Sequence, residues 1–334
     1  MHPEQSAHPE QTFAFCGKVV VFIVSILTLL PNIRRVNFTS DLLKDMAALE
    51  DFQARFDSEV ACANYLFAQK WPHGFICSRC SHTQSTRINT RRLPLYQCNH
   101  CHYQVSPIVG TIMESSSTDL RKWFTAMFLV SATESGINAL KLSHLIQVTY
   151  KTAWLMLRKI RQSITQADDA AKLTGNVYID NAKFGRPYTG FHYEADEYPV
   201  LVGVATDNRD QLDYIKMQIV PESQYDEFHV LSEGIESFCE KHIELDSIVT
   251  VTERKRMKRK DMKGYPIFKI ARAWLKRTYH GLGQGHLQHY WNEFCWRFNT
   301  KLQNNPLFES MLRLCVTTST TTYAKLLKKG ELLA

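Results

Sequence analysis

The chain has 334 residues, 44% of them apolar and 22% charged, which is enough for two or three domains with a real hydrophobic core. Its 40 Lys and Arg against 33 Asp and Glu leave a net charge of +7, so the surface favours acidic partners, nucleic acid first among them. Its nine cysteines do not read as a secreted disulfide framework. Four fall in two close pairs, and Cys16, Cys62, Cys239, Cys295 and Cys315 are scattered through mostly apolar stretches, the pattern of reduced buried thiols plus one metal site in a cytoplasmic protein.

The first apolar run, Val19 to Leu30, is twelve residues long, short of the ~20 needed to span a bilayer. It reads as an anchor or signal, as a helix packed on the body, or as translated upstream sequence. The last is preferred, because Met46 opens "MAALEDFQARF", a sensible start for a cytoplasmic domain, and no membrane partner is expected. Residues 1–45 are therefore set apart as a leader. From Leu42 to Gln69 the apolar residues recur at helical spacing, giving a helical segment over 46–70. A loop-rich stretch, 71–107, holds the cysteine pairs.

Helical periodicity resumes at Thr118, an N-cap candidate for "DLRKWFTAMFLVSATES", and stops at Gly136. A short helix, "NALKLSHLIQV", then leads through a tight connection into "TYKTAWLMLRKIRQSI", with Thr149 as its cap. These place a helix–turn–helix-like segment over 118–164. "TQADDAAKLTG", Thr165 to Gly175, is small and polar and reads as a linker. Beyond it the period changes: "NVYID", "YPVLVGVATD", "LDYIKMQIV" and "DSIVTVTE" are β-branched runs, with a helical "SQYDEFHVLSEGIESFCEKH" before the fourth. Three strands, a helix and a further strand describe a mixed sheet over 175–310, and the pattern from Pro266 onward is helical and rich in aromatics.

Cys77-x2-Cys80-x17-Cys98-x2-Cys101 carries the most specific chemistry. Two thiolate pairs on two turns, joined by a hairpin through "NTRR", make the tetrahedral sulfur cage that zinc prefers, with rubredoxin-like iron as the rival. Four thiolates leave no open position, so the ribbon is structural, and Arg79, Arg87, Arg91 and Arg92 suit it to a phosphate backbone. Tyr150, Lys151, Arg158, Lys159 and Arg161 give the helix after Thr149 the make-up of a recognition helix. Plain helix packing is the alternative. Seven of the ten residues after Glu253 are basic, and Arg254, Lys255, Arg256, Lys258, Arg259 and Lys260 are candidate nucleic-acid contacts. The tail residues His280, His286, Arg297 and Asn299 are more polar than a purely structural helix needs.

From Met46 to Phe308 these pieces occur in an order that resembles the bacterial insertion-sequence transposases of the ISXO group. The resemblance is carried by the cysteine region through "TIMESSSTDLRKWFTAMFLVS", by "TYKTAWLMLRKIR", by "YIDNAKFG" and by "WLKRTYHGLGQGHLQHYWNEFCWRFN". It implies an α/β fold class: an N-terminal zinc ribbon and helix–turn–helix region followed by an RNase H-like mixed-sheet domain. It also implies a transposition complex on DNA, with the possibility of a homo-oligomer, and a carboxylate triad that holds Mg2+ or Mn2+ for strand cleavage and joining. Asp180 falls on the first metal-ligand position. Asn181 stands where the family has Glu, Glu253 stands at the second ligand position, and the third falls near Tyr265, which is no ligand. The triad is expected to be incomplete, so a catalytically inactive DNA-binding remnant or repressor of transposition is the alternative to an active transposase.

Overall fold

The computed structural model describes residues 50–133, 136–185, 197–227, 229–252, 262–279, 282 and 284–318. The Val19–Leu30 run, Met46, Glu253, the 254–260 basic run and His280 lie outside the described residues. The expectation of an N-terminal ribbon followed by helices and a mixed sheet matches the observed order.

Residues 50–55 are helical and lead into α1, Glu59–Lys70, whose N-cap Ser58 accepts from Ala61 N. The ribbon follows as β1 (Ser85–Ile88), β2 (Leu95–Cys98) and β3 (Gln104–Val105), all antiparallel in that spatial order. Phe67 of α1 lays its ring 4.4 Å from Tyr96 of β2, and Trp71 and Phe75 close the same small core around the buried Cys77 and Cys98.

Three helices come next: α2 (Leu120–Ala132), α3 (Ala139–Ile146) and α4 (Tyr150–Ala170). The α2 N-cap is Asp119 rather than Thr118, and its side chain makes no capping bond; Leu120 N instead donates to the Glu59 carboxylate of α1 at 3.0 Å. Gly136, in the left-handed region at φ 69°, follows the end of α2; a Cβ there would meet the Trp274 ring at 2.8 Å, so the close approach as well as the turn requires glycine. Asn138 and Thr149 cap α3 and α4 through their side chains.

The sheet domain contains β4 (Asn176–Phe184), β5 (Tyr198–Thr206), β6 (Leu212–Ile219), α5 (Ser232–His242) and β7 (Ile248–Val251). Strand order is β6-β5-β4-β7, with β4, β5 and β6 antiparallel and β7 parallel to β4. The helix before β7 begins only at Ser232, because Asp226 Oδ1 accepts from His229 N and Tyr225 bridges Val230 in a tight turn. Val177 and Ile179 face α5, while Ala182 faces α6 (Gly264–Thr278) and α7 (Gln284–Leu302). The last described helix, α8 (Leu307–Thr317), returns to the helical layer, where Phe308, Met311 and Leu312 join the core of α1 to α4.

The segment read as a linker, Thr165 to Gly175, is instead the last turns of α4 followed by Leu173 bridging Ile243. Its polarity misled because the polar groups are internal: Asp168 is buried and pairs with the fully buried Lys216 of β6 at 3.2 Å. Helix α4 therefore serves both layers, with Ala153, Met156, Leu157, Ile160 and Ile164 in the helical core.

Helix α7 seals the free edge of β6 with side-chain amides. Asn299 accepts from Ile215 N and donates to Ile215 O, both at 2.9 Å, and Gln288 accepts from Ile219 N and donates to Met217 O, both at 2.8 Å. Two amides thus stand in for a missing neighbour strand. Arg297 donates to Val130 O and Thr133 O at the end of α2, where unpaired carbonyls await a donor. These contacts assign the tail residues Arg297 and Asn299 to the scaffold.

Two histidines are buried uncharged beside cations. Burial, then Lys216, Lys241 and Lys172, holds His242 down to about 3; burial, then Arg158, Arg161 and His286, does the same to His289. Because the unfolded imidazoles titrate near 6.5, the contribution to stability is complete above that pH and is lost as pH falls toward about 3. Each histidine is expected to cost about 1.4 kcal/mol per pH unit inside that window. Chemical denaturation across the acid range, repeated on His289→Gln, measures the slope; an unchanged slope in the variant contradicts this assignment.

Candidate metal centre and nucleic-acid interface

The two halves of the ribbon use the same backbone device. Cys77 O accepts from Ser81 N and Cys77 N donates to His82 O; Cys98 O accepts from His102 N and Cys98 N donates to Tyr103 O. Ser81 and His102 are both left-handed, at φ 59° and 56°, which turns each loop back over its cysteine pair. The four sulfurs lie within 4.8 Å of one another, with Cys77 to Cys101 at 3.6 Å and Cys80 to Cys98 at 3.5 Å. A tetrahedral zinc at about 2.3 Å from each sulfur sets sulfurs about 3.8 Å apart, so the four thiols fit that ion. Burial works against a charged Cys77, yet the Arg79 and Cys80 amides bring the thiol down to about 7, toward the thiolate a metal needs. With four protein ligands the centre is structural, and His82, His100 and His102 are not required.

The ribbon is fixed to the helical layer by charged contacts. Arg92 bridges Glu59 at 2.8 Å and Asp119 at 2.7 Å, while Lys70 donates to the carbonyls of Pro107 and Val109. Arg92 is thereby neutralised. Arg79, Arg87 and Arg91 remain exposed, and among the described residues none of the three pairs with a carboxylate.

The expected recognition helix divides in two. Tyr150 and Lys151 are exposed at the start of α4, across a short turn from Leu140, Lys141 and His144 of α3. Further along, the side chains turn inward. Arg161 is buried with Nε at 2.6 Å from the fully buried Glu293 of α7, and its guanidinium lies 4.2 Å from the Tyr290 ring. Burial opposes the Arg161 charge, but Glu293 overrides it and raises the pKa above its ordinary value. Arg158 is buried against His286 at 2.8 Å, and Lys159 donates to Ile112 O. In this arrangement Arg158 and Arg161 are buried and Lys159 is half-buried. They hold α4 against α7 and against the loop before α2. Helical spacing placed all five residues on one helix but could not show that its middle lies between two layers.

Asp180 sits midway along β4, fully buried on the face that carries α6 and α7. Its Oδ2 accepts from Gly264 N, the first residue of α6, at 2.5 Å. Its Oδ1 is buried with no hydrogen-bond partner among the described residues. The neighbouring β7 runs parallel, and Thr252 N donates to Ile179 O at 2.9 Å, which brings the chain just before Glu253 alongside Asp180. Among the described residues the cysteine set is the one group of three or more acidic, His or Cys side chains close enough to share an ion, and Asp180 belongs to no such group there. Glu293, the acidic residue of the tail helix, is committed to Arg161.

Residues 57–104 match the transposase zinc-ribbon domain family. The chain is also similar to an uncharacterized protein in transposable element ISH50 of Halobacterium salinarum, 28% identical over 157 residues that cover 47% of each chain. It thus spans about half the length of that curated relative. No solved structure matches the chain. No helix among the described residues is long and apolar enough to cross a membrane. The matched domain holds all four clustered cysteines, so the ribbon of this chain is similar to that of the insertion-sequence transposases of the zinc-ribbon group.

Proposed function

We propose that the chain is a DNA-binding member of this group that holds insertion-sequence ends through its ribbon and the exposed start of α4. The observation that carries the reading is the trio Arg79, Arg87 and Arg91: exposed cations without carboxylate partners among the described residues, on a metal-ready scaffold in a chain of net charge +7. Phosphate contacts of this kind fix position and orientation, while side chains at the N-terminal turn of a helix read base edges. Tyr150 and Lys151 take that second role. The basic side chains Arg254, Lys255, Arg256, Lys258, Arg259 and Lys260 of the sequence would add to the phosphate term.

A second reading, metal-dependent strand cleavage and joining, is favoured by the sheet. Three antiparallel strands, a helix and a fourth strand parallel to the first, with an aspartate midway along that first strand, support an RNase H-like domain over 175–310. The burial of Asp180 and its bond to Gly264 N weigh against chemistry there. The test titrates the full chain against duplex DNA carrying the element's ends, with and without Mn2+. A retained complex with uncut strands is expected. Nicked or joined strands that disappear with Asp180→Asn would establish the second reading, and no binding at low salt would remove the first.

A further inference from the structure

The resemblance implies a divalent metal at Asp180, and the residues around it do not fit one. Mg2+ keeps several of its waters and demands near-octahedral oxygen coordination. Asp180 has no exposed surface, one of its oxygens is taken by Gly264 N, and it belongs to no group of three ligands among the described residues. Helix α6, in turn, receives no side-chain cap from its own N-cap residue, Lys263, and its first turn holds no acidic residue. The position after Lys263 is glycine, and a Cβ there would stand 2.8 Å from Val202 Cγ1 and 3.0 Å from Asp180 Oδ2. Lys263 itself reaches Asp210 at the β5–β6 turn and stands 4.0 Å from the Tyr178 ring, so it pins the helix end to the same face of the sheet.

We infer that the N-terminal end of α6 occupies the place of the divalent cation and compensates the Asp180 charge in its stead. The positive end of a 15-residue helix and a directed amide N–H supply what a metal would otherwise supply to a buried carboxylate. Asp180 is then a helix cap reached across the sheet, and Gly264 is the residue that lets the helix approach. For a hydrated ion to reach Asp180, α6 would first have to withdraw.

The inference is independent of DNA binding and is tested without activity. Hydrogen exchange at the Gly264 amide and thermal unfolding are followed in the full chain and in Asp180→Asn and Asp180→Ala, each with and without Mn2+. The Gly264 amide is expected to be protected in the native chain. In Asp180→Ala it should exchange about tenfold faster or more, and in Asp180→Asn, whose side-chain oxygen can still accept, at an intermediate rate. Mn2+ should leave the melting temperature of the native chain unchanged. If Asp180→Ala does not fold, the Asn variant and the Mn2+ titration decide alone. A melting temperature that rises with Mn2+ in the native chain but not in Asp180→Asn, or a Gly264 amide indifferent to either substitution, would overturn the inference.

Discussion

Stripping the ribbon of its metal is expected to abolish DNA binding by the full chain, and Cys98→Ser is expected to do the same. The ribbon has too small a core to hold its shape unaided: Trp71, Phe75, Tyr96 and Val105 surround thiols that account for much of its buried interior. Structural zinc sites of this type contribute on the order of 10 kcal/mol to the folding of the module they close. Without the ion, four converging sulfurs lose their common partner and the two turns at Ser81 and His102 lose their reason to face each other. Arg79 and Arg91 then no longer share one rigid surface. Metal analysis should return about one zinc per chain. Iron in its place, or full DNA binding after chelation, would contradict the assignment.

The second large effect lies at a buried ion pair between α4 and α7. Arg161→Ala or Glu293→Ala is expected to destabilise the chain by about 3–5 kcal/mol, because each leaves a buried charge without its partner. Side-chain exposures of 4% and 0% put this pair among those where removing one member is worse than removing both. Replacing both with apolar residues, Arg161→Met with Glu293→Leu, should therefore recover much of the loss. Denaturant unfolding of the two single variants and the double variant measures the coupling. Additive losses would mean that the pair does not act as a unit.

Much of the architecture was legible in the sequence because local pattern and packing agree there. The cysteine spacing determines a hairpin and a sulfur cage, Thr149 announces a helix start that the structure caps as expected, and four β-branched runs become four strands. What escaped the sequence was the second face of α4. Arg158, Arg161, Thr165 and Asp168 look like solvent-facing polar residues, yet all four are buried, with partners on α7 and β6. No local signal separates a solvated arginine from one paired with a glutamate 132 residues away. Asp180 shows the same limit. Its place on the first strand of the sheet was readable, but that the strand runs on to Phe184 and that a helix end meets its carboxylate depend on contacts far along the chain, the latter 84 residues away.

The tail illustrates the converse. Arg297 and Asn299 were singled out as polar beyond structural need, and the need is structural after all: one closes the end of α2 and the other completes the edge of β6. Burying a backbone group unpaired is costly, so a helix that covers a strand edge must bring its own donors and acceptors.

The most direct test of DNA binding through the ribbon is the salt dependence of that binding. The full chain and its Arg79→Ala/Arg87→Ala/Arg91→Ala variant should be titrated against the same end-bearing duplex over a range of salt concentrations. If the three arginines neutralise phosphates, the slope of log affinity against log salt should be shallower in the variant by about 3, with zinc content unchanged. A variant whose slope equals that of the native chain would show that the ribbon does not hold DNA.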